Sequence, residues 1–171
     1  MATVARMTTA DPEARVRECL GRLGVDFNIV QCDPDLADTA AFCAAYGYAP
    51  EDSANTIVVV GKADPPRYAA CVVLATTRLD VNHVVRDRLG VRRASFASAD
   101  ETIAVTSMMI GGVTPFALPD DLAVWVDTRV LERDRLVLGG GSRSVKVLGP
   151  PTLLSSRPGV EVVHGLALPP R

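Results

Sequence analysis

The chain has 171 residues, 48% of them hydrophobic and 22% charged, with a formal net charge of −2 and a pI of about 5.7. That length and apolar share suit one domain with a real core and exclude disorder over most of the chain. The acidic balance excludes a protein that coats nucleic acid through bulk charge, and no run approaches the roughly 18 apolar residues of a membrane-crossing helix.

Residues 1–12 lack the charged-then-apolar order of a secretory leader and read as a flexible tail ahead of a single domain over 13–171. The stretch 12–23 predicts a helix, with Asp11 as N-cap, Pro12 in the first turn, Val16, Leu20 and Leu23 at helical spacing, and Gly24 as the stop. Residues 26–32 alternate as a strand, broken by Asp33-Pro34, and 38–46 form a second helix ended by Gly47. The β-branched run 56–61 and the run 68–75 read as strands covered on both faces, joined by a hairpin-like loop over 62–66. A third helix is expected over 80–89, closed by Gly90, then a short strand at 94–96 and a short helix at 100–106. Strands follow at 122–127, 136–138, 146–148 and 160–163, with a flexible Gly139-Gly140-Gly141-Ser142 loop and a short helix or turn at 150–154. Helices and strands mix without strict alternation, so an α+β domain around a curved, mainly antiparallel sheet with flanking helices fits better than a doubly wound sheet.

The four cysteines, Cys19, Cys32, Cys43 and Cys71, show no C-x-x-C spacing, and His83 and His164 are the two histidines. Reduced, buried thiols are expected, and no metal site. Arginines crowd at Arg86, Arg88, Arg92 and Arg93. They crowd again, with Lys146, at Arg129, Arg133, Arg135 and Arg143. Either these converge on a phosphate backbone or they are solvated faces and loop residues.

The stretch that carries most chemistry is Gly111-Gly112-Val113-Thr114-Pro115-Phe116-Ala117-Leu118-Pro119. Adjacent glycines allow positive φ and close approach of another molecule, and the prolines limit the loop's freedom. It is either an ordinary tight turn or a cradle that offers backbone N–H and C=O groups to a small polar ligand.

Five marks in this order resemble the YbaK/ProX group of free-standing aminoacyl-tRNA deacylases, which share a fold with the editing insertion of bacterial prolyl-tRNA synthetases. They are Thr56-Ile57-Val58-Val59-Val60, Arg78-Leu79-Asp80-Val81, Leu89-Gly90-Val91-Arg92-Arg93-Ala94-Ser95-Phe96, the glycine-proline loop, and Gly140-Gly141-Ser142-Arg143. The resemblance covers roughly residues 13–166. It implies a cavity between the two glycine-rich stretches that takes the terminal adenosine and aminoacyl group of a mischarged tRNA. Ester hydrolysis there needs no covalent enzyme nucleophile and no cofactor. Carried over, Gly111, Gly112, Thr114 and Pro115 would line one side, and Gly140, Gly141, Ser142 and Arg143 the other. Ser142 also reads as a turn hydroxyl capping its own backbone, and Arg143 as a solvated loop arginine or a phosphate contact.

The chain departs from the resemblance at three places. The family's lysine before the first long strand is Asn55 here, which can hold a carbonyl without supplying charge. Lys146 stands where some relatives place a carboxylate, so the cation of the site is expected to have moved to Lys146. The alternative is a lysine snorkelling from a strand edge. Ala117 replaces a glycine, and if that position needs positive φ the alanine is strained. Asn55, Lys146 and Gly112 are thus the expected catalytic set. The reading is a cytoplasmic trans-editing deacylase acting on the acceptor end of misacylated tRNA, with an aminoacyl-tRNA synthetase as a further partner. Against it stand a catalytically silent module that binds a tRNA end or nucleotide, and hydrolysis of another small acyl ester.

Overall fold

The structure is a computed structural model that describes residues 11–170. The expected tail therefore lies, up to residue 10, outside the described residues. The first helix, α1 (Pro12–Gly21), begins as the sequence dictates: Asp11 caps it by accepting from Glu13 N, and Pro12 opens it. Strand β1 (Asn28–Gln31) leads through a 3-10 turn, Pro34–Leu36, to α2 (Thr39–Tyr46), which Gly47 ends in a left-handed conformation.

The central hairpin is β2 (Ala54–Gly61) and β3 (Arg67–Leu74), paired antiparallel in unbroken register from Ala54↔Leu74 to Gly61↔Arg67. Around it, β5 (Ala94–Phe96) flanks β2, while β6 (Ala123–Asp127) and β9 (Val160–Val163) extend the other side in the order β5-β2-β3-β6-β9. The β3–β6 and β6–β9 pairings are parallel, and the other two are antiparallel. A second sheet, β1-β8-β7, is antiparallel and formed with β7 (Leu136–Gly139) and β8 (Val145–Gly149). A Ser53↔Val137 bridge ties it to the start of β2. A small third sheet pairs β4 (Arg78–Leu79) with β10 (Ala167–Leu168). The helices are completed by α3 (Arg86–Leu89), α4 (Ala99–Thr106) and α5 (Thr152–Ser155). This is the expected α+β domain with a mixed sheet and flanking helices.

The near-continuous apolar run of β3 follows from burial on both faces. Ala70, Val72 and Leu74 join a core with Phe116, Leu136, Val147 and Leu153. Ala69, Cys71 and Val73 join a second core with Val85, Trp125 and Leu166. Burial pushes the Cys71 thiol up to about 12, which holds it protonated and inert. The third expected helix departs from regular geometry. Residues Val81–Val85 form a wide π turn, with Val85 N bonding Asp80 O, before α3 begins. Its consequence for packing is small, since Val81, Val85 and Leu89 still reach the second core.

Candidate functional site

Strand β5 pairs only with Val59, Val60 and Gly61, so the first half of β2 has an edge that β5 does not cover. A cavity of about 310 Å³ opens there. Its walls come from β2 (Asn55, Thr56, Ile57, Val58), the start of α2 (Asp38, Thr39, Phe42), β7 (Val137, Leu138, Gly139), Lys146 of β8, and the Ile110-to-Val113 loop. Asn55 and Lys146, distant in sequence, thus share one cavity.

Lys146 is 7% exposed. Its Nζ donates to Ala37 O at 2.6 Å and to Gly111 O at 3.0 Å, and lies 5.6 Å from the centroid of the Phe42 ring. The Phe42 ring also makes stacked contacts with Tyr46 and with Tyr48. Among the described residues no carboxylate forms an ion pair with Lys146; carbonyl dipoles and the ring face hold the ammonium instead. Burial pushes its pKa below the usual lysine value; the thiol of Cys32 and the carboxylate of Asp38 oppose this, and Arg143 adds to it.

Asn55 Oδ1 accepts from Thr39 Oγ1 at 2.9 Å. Its amide N–H₂ has no protein partner among the described residues. Thr56 Oγ1 is buried on the cavity wall with no hydrogen-bond partner among the described residues. A buried hydroxyl without a partner costs about 1–3 kcal/mol, so one left on a cavity wall marks a place where a ligand group fits. Sequence reasoning missed Thr56. The signal was its place beside Asn55, hidden because a threonine in a strand is ordinary.

The two glycine-rich stretches were expected to face one another across the cavity. Instead they are pressed together, backbone to backbone. Gly141 N donates to Gly112 O at 2.7 Å, and Met109 N to Gly141 O at 3.1 Å. A Cβ on Gly112 would lie 2.2 Å from Ser142 O, and one on Gly139 would lie 2.3 Å from Val113 O. The glycines are therefore required chiefly by the close approach of these loops. Gly111, at φ +91°, and Gly139 reach the cavity wall. Gly112, Gly140 and Gly141 stand behind it.

The remaining expected residues are placed as follows. Thr114 and Pro115 are buried away from the wall, with Thr114 Oγ1 also unpartnered. Ser142 Oγ donates to Glu13 of α1 and accepts from Ser144 N, as a turn hydroxyl does. Arg143 joins three segments behind the site: Nε donates to Pro34 O at 3.0 Å, and Nη1 to Ile110 O at 3.1 Å and Asp38 Oδ1 at 3.3 Å. Ala117 does adopt positive φ, +58°, so the strain expected from the missing glycine is present.

Six of the eight arginines in the two clusters are engaged within the protein. Arg88 pairs with Glu161 and lies over the Trp125 ring, Arg86 pairs with Asp87, and Arg133 and Arg135 share Asp52. Arg129 donates to Ala167 O. Among the described residues no helix is long and apolar enough to cross a membrane, and no three His, Cys, Asp or Glu side chains gather as a metal would require.

Comparison with known structures finds the same fold. The hypothetical protein APE2540 is similar at TM-score 0.79 and 23% identity over 90% of this chain and 99% of its own. A proposed trans-editing enzyme for prolyl tRNA synthetase is similar at TM-score 0.74 and 22% identity, covering 90% of this chain and 95% of its own. The fold also recurs within a longer, proposed signal transduction protein from Marinobacter aquaeolei VT8. That match has TM-score 0.60 and 16% identity over 91% of this chain and 30% of the other. Residues 33–155 match the aminoacyl-tRNA editing domain. That span holds α2, the central hairpin, both glycine-rich stretches and every wall of the cavity, and the chain belongs to the aminoacyl-tRNA editing domain family.

Proposed function

We propose that the protein hydrolyses the ester of misacylated aminoacyl-tRNA in the cavity between β2, α2 and the Ile110-to-Val113 loop. The observation that carries this is the joint presence, on one wall system, of a buried ammonium (Lys146), an amide with free N–H groups (Asn55) and an unpartnered hydroxyl (Thr56). An aminoacyl ester is already activated. Water attacks the carbonyl, the C–O bond to the ribose breaks, and the products are the free amino acid and a tRNA with its terminal hydroxyl restored. Such a step asks for orientation and stabilisation of a developing oxyanion more than for a protein nucleophile. Lys146 supplies the positive charge and also holds Gly111, and Asn55 and Thr56 orient the acyl ribose. Gly112 acts through the loop it lets close, and Arg143 by fixing the loop's start to α2. We place the activity in the cytoplasm, where charged tRNA is used, and a synthetase that makes the mischarged product is the natural source of substrate.

One observation favours the silent binding module instead. Asn55 Oδ1 is already engaged by Thr39, and two of the three Lys146 donors are engaged by carbonyls. A panel of mischarged tRNAs separates the readings. Release of one or a few amino acids, lost in Lys146→Met, supports the deacylase. Binding of tRNA without release from any member supports the module.

A further inference from the structure

A second depression, of about 420 Å³, lies at the far end of the β2–β5 ribbon, lined by Lys62, Arg93, Ser95, Val60 and the hairpin turn. Lys62 and Arg93 are exposed, and among the described residues neither side chain makes an ion pair. Directly opposed residues of an antiparallel pair share a face, and alternate residues along a strand do too. The register Val60↔Ser95 therefore sets Val58, Val60 and Lys62 on the same face as Arg93, Ser95 and Ala97. The ladder runs on past both strand ends, with Lys62 N donating to Arg93 O and Ala97 N to Val58 O. Val58 and Ala97 are walls of the first cavity. One face thus leads from the basic depression to the candidate site, over four residue steps of β5, about 13 Å. Two carboxylates stand by this path: Asp64, exposed in the hairpin turn two residues after Lys62, and Glu101, which is occupied by the Tyr68 hydroxyl and Ser98 N at the α4 capping box. Phe96, though exposed, points to the other face.

We propose that Lys62 and Arg93 hold phosphates of the RNA strand whose 3′ end enters the cavity, so that the β2–β5 face is the RNA-docking track of this protein. The proposal rests on the deacylase reading for its partner. The charge of the track is opposite to that of the phosphodiester backbone, in a chain whose net charge is negative. Contacts of this kind position the strand without reading its bases, and their mark is salt dependence.

The test compares the parent with a Lys62→Ala/Arg93→Ala double variant, both surface changes outside the cavity. Binding of uncharged tRNA is measured across a salt series, and turnover on mischarged tRNA and on a minimal aminoacyl-adenosine. The double variant is expected to bind tRNA at least tenfold more weakly. The slope of log K against log salt should fall by about 0.7 for each lost single-strand contact. The aminoacyl-adenosine rate should be unchanged. Unaltered tRNA affinity and slope would overturn the track, as would an equal loss on aminoacyl-adenosine. If neither protein turns over any substrate while the binding loss and slope change are seen, the deacylase reading fails and the track stands.

Discussion

The ammonium of Lys146 lies 3.0 Å from the carbonyl oxygen of Gly111 and so joins the second sheet to the glycine loop at the wall of the cavity. Removing it should have two separable effects. In Lys146→Met the carbonyls of Ala37 and Gly111 lose a donor, at about 1–3 kcal/mol for each buried group. Relief from burying a charge offsets part of this. A net stability loss of about 1–2 kcal/mol in urea unfolding is expected, together with a fall in deacylation of at least tenfold. Placing the charge back on β2, in Asn55→Lys/Lys146→Met, should recover part of the rate. A double variant no faster than Lys146→Met would show that the position of the charge, not its presence in the cavity, is what matters.

The depressed pKa of Lys146 makes a signed statement about stability. Below the ordinary lysine value of 10.5 the unfolded chain holds this proton more tightly than the folded one. Stability then rises with pH in the window between the folded value and 10.5. The free energy of unfolding of the parent minus that of Lys146→Met should therefore increase as the pH rises toward 10.5. A flat difference would mean that burial does not depress the group.

Thr56→Val replaces an unpartnered buried hydroxyl by a methyl of similar shape. Stability should hold or rise, by up to about 1 kcal/mol, while KM for the aminoacyl substrate rises severalfold. An unchanged KM would remove Thr56 from the binding surface. A clear loss of stability would mean that the hydroxyl has a structural partner.

Gly112→Ala forces a Cβ into the backbone of Ser142, where no side-chain rotation can relieve it. The expected destabilisation is about 3 kcal/mol or more. Gly21→Ala is the control, since nothing lies within 4 Å of its Cβ position; an alanine at the end of α1 should be neutral or stabilising. Equal behaviour of the two in thermal melts would contradict the tight loop-to-loop packing.

Legibility of the sequence followed the range of the signal. The α1 cap at Asp11 and the two-sided strand β3 were readable because each depends on local chemistry or on a short run; β2, expected to be covered on both faces as well, is half-buried over much of its length. Strands β4 and β10 were not, because two residues carry no periodicity. The capping box of Ser98 and Glu101 was present in the sequence, but its Ser98 lies two residues before the expected start at 100, and the helix begins one residue early, at Ala99. For the site, Asn55 and Lys146 could be named as a pair and do share the cavity. The mutual packing of Gly112 with Ser142, and the turn of Ser142 toward Glu13, depend on how two loops far apart in sequence meet. No spacing within either loop encodes that.

The parallel pairings carry a consequence for how the chain reaches this state. Ala69 of β3 finds its partner at Ala123, and Val124 of β6 finds its own at Val160. Until the last strand is available, β6 presents an open edge that includes Trp125 and Val126. The central sheet thus closes late, through contacts between distant residues, and loop closure makes such contacts slow. During synthesis the hairpin β2–β3 can form early, but the walls of the cavity wait for β7 and β8. A chain stopped before Val160 would expose an apolar strand edge suited to aggregation.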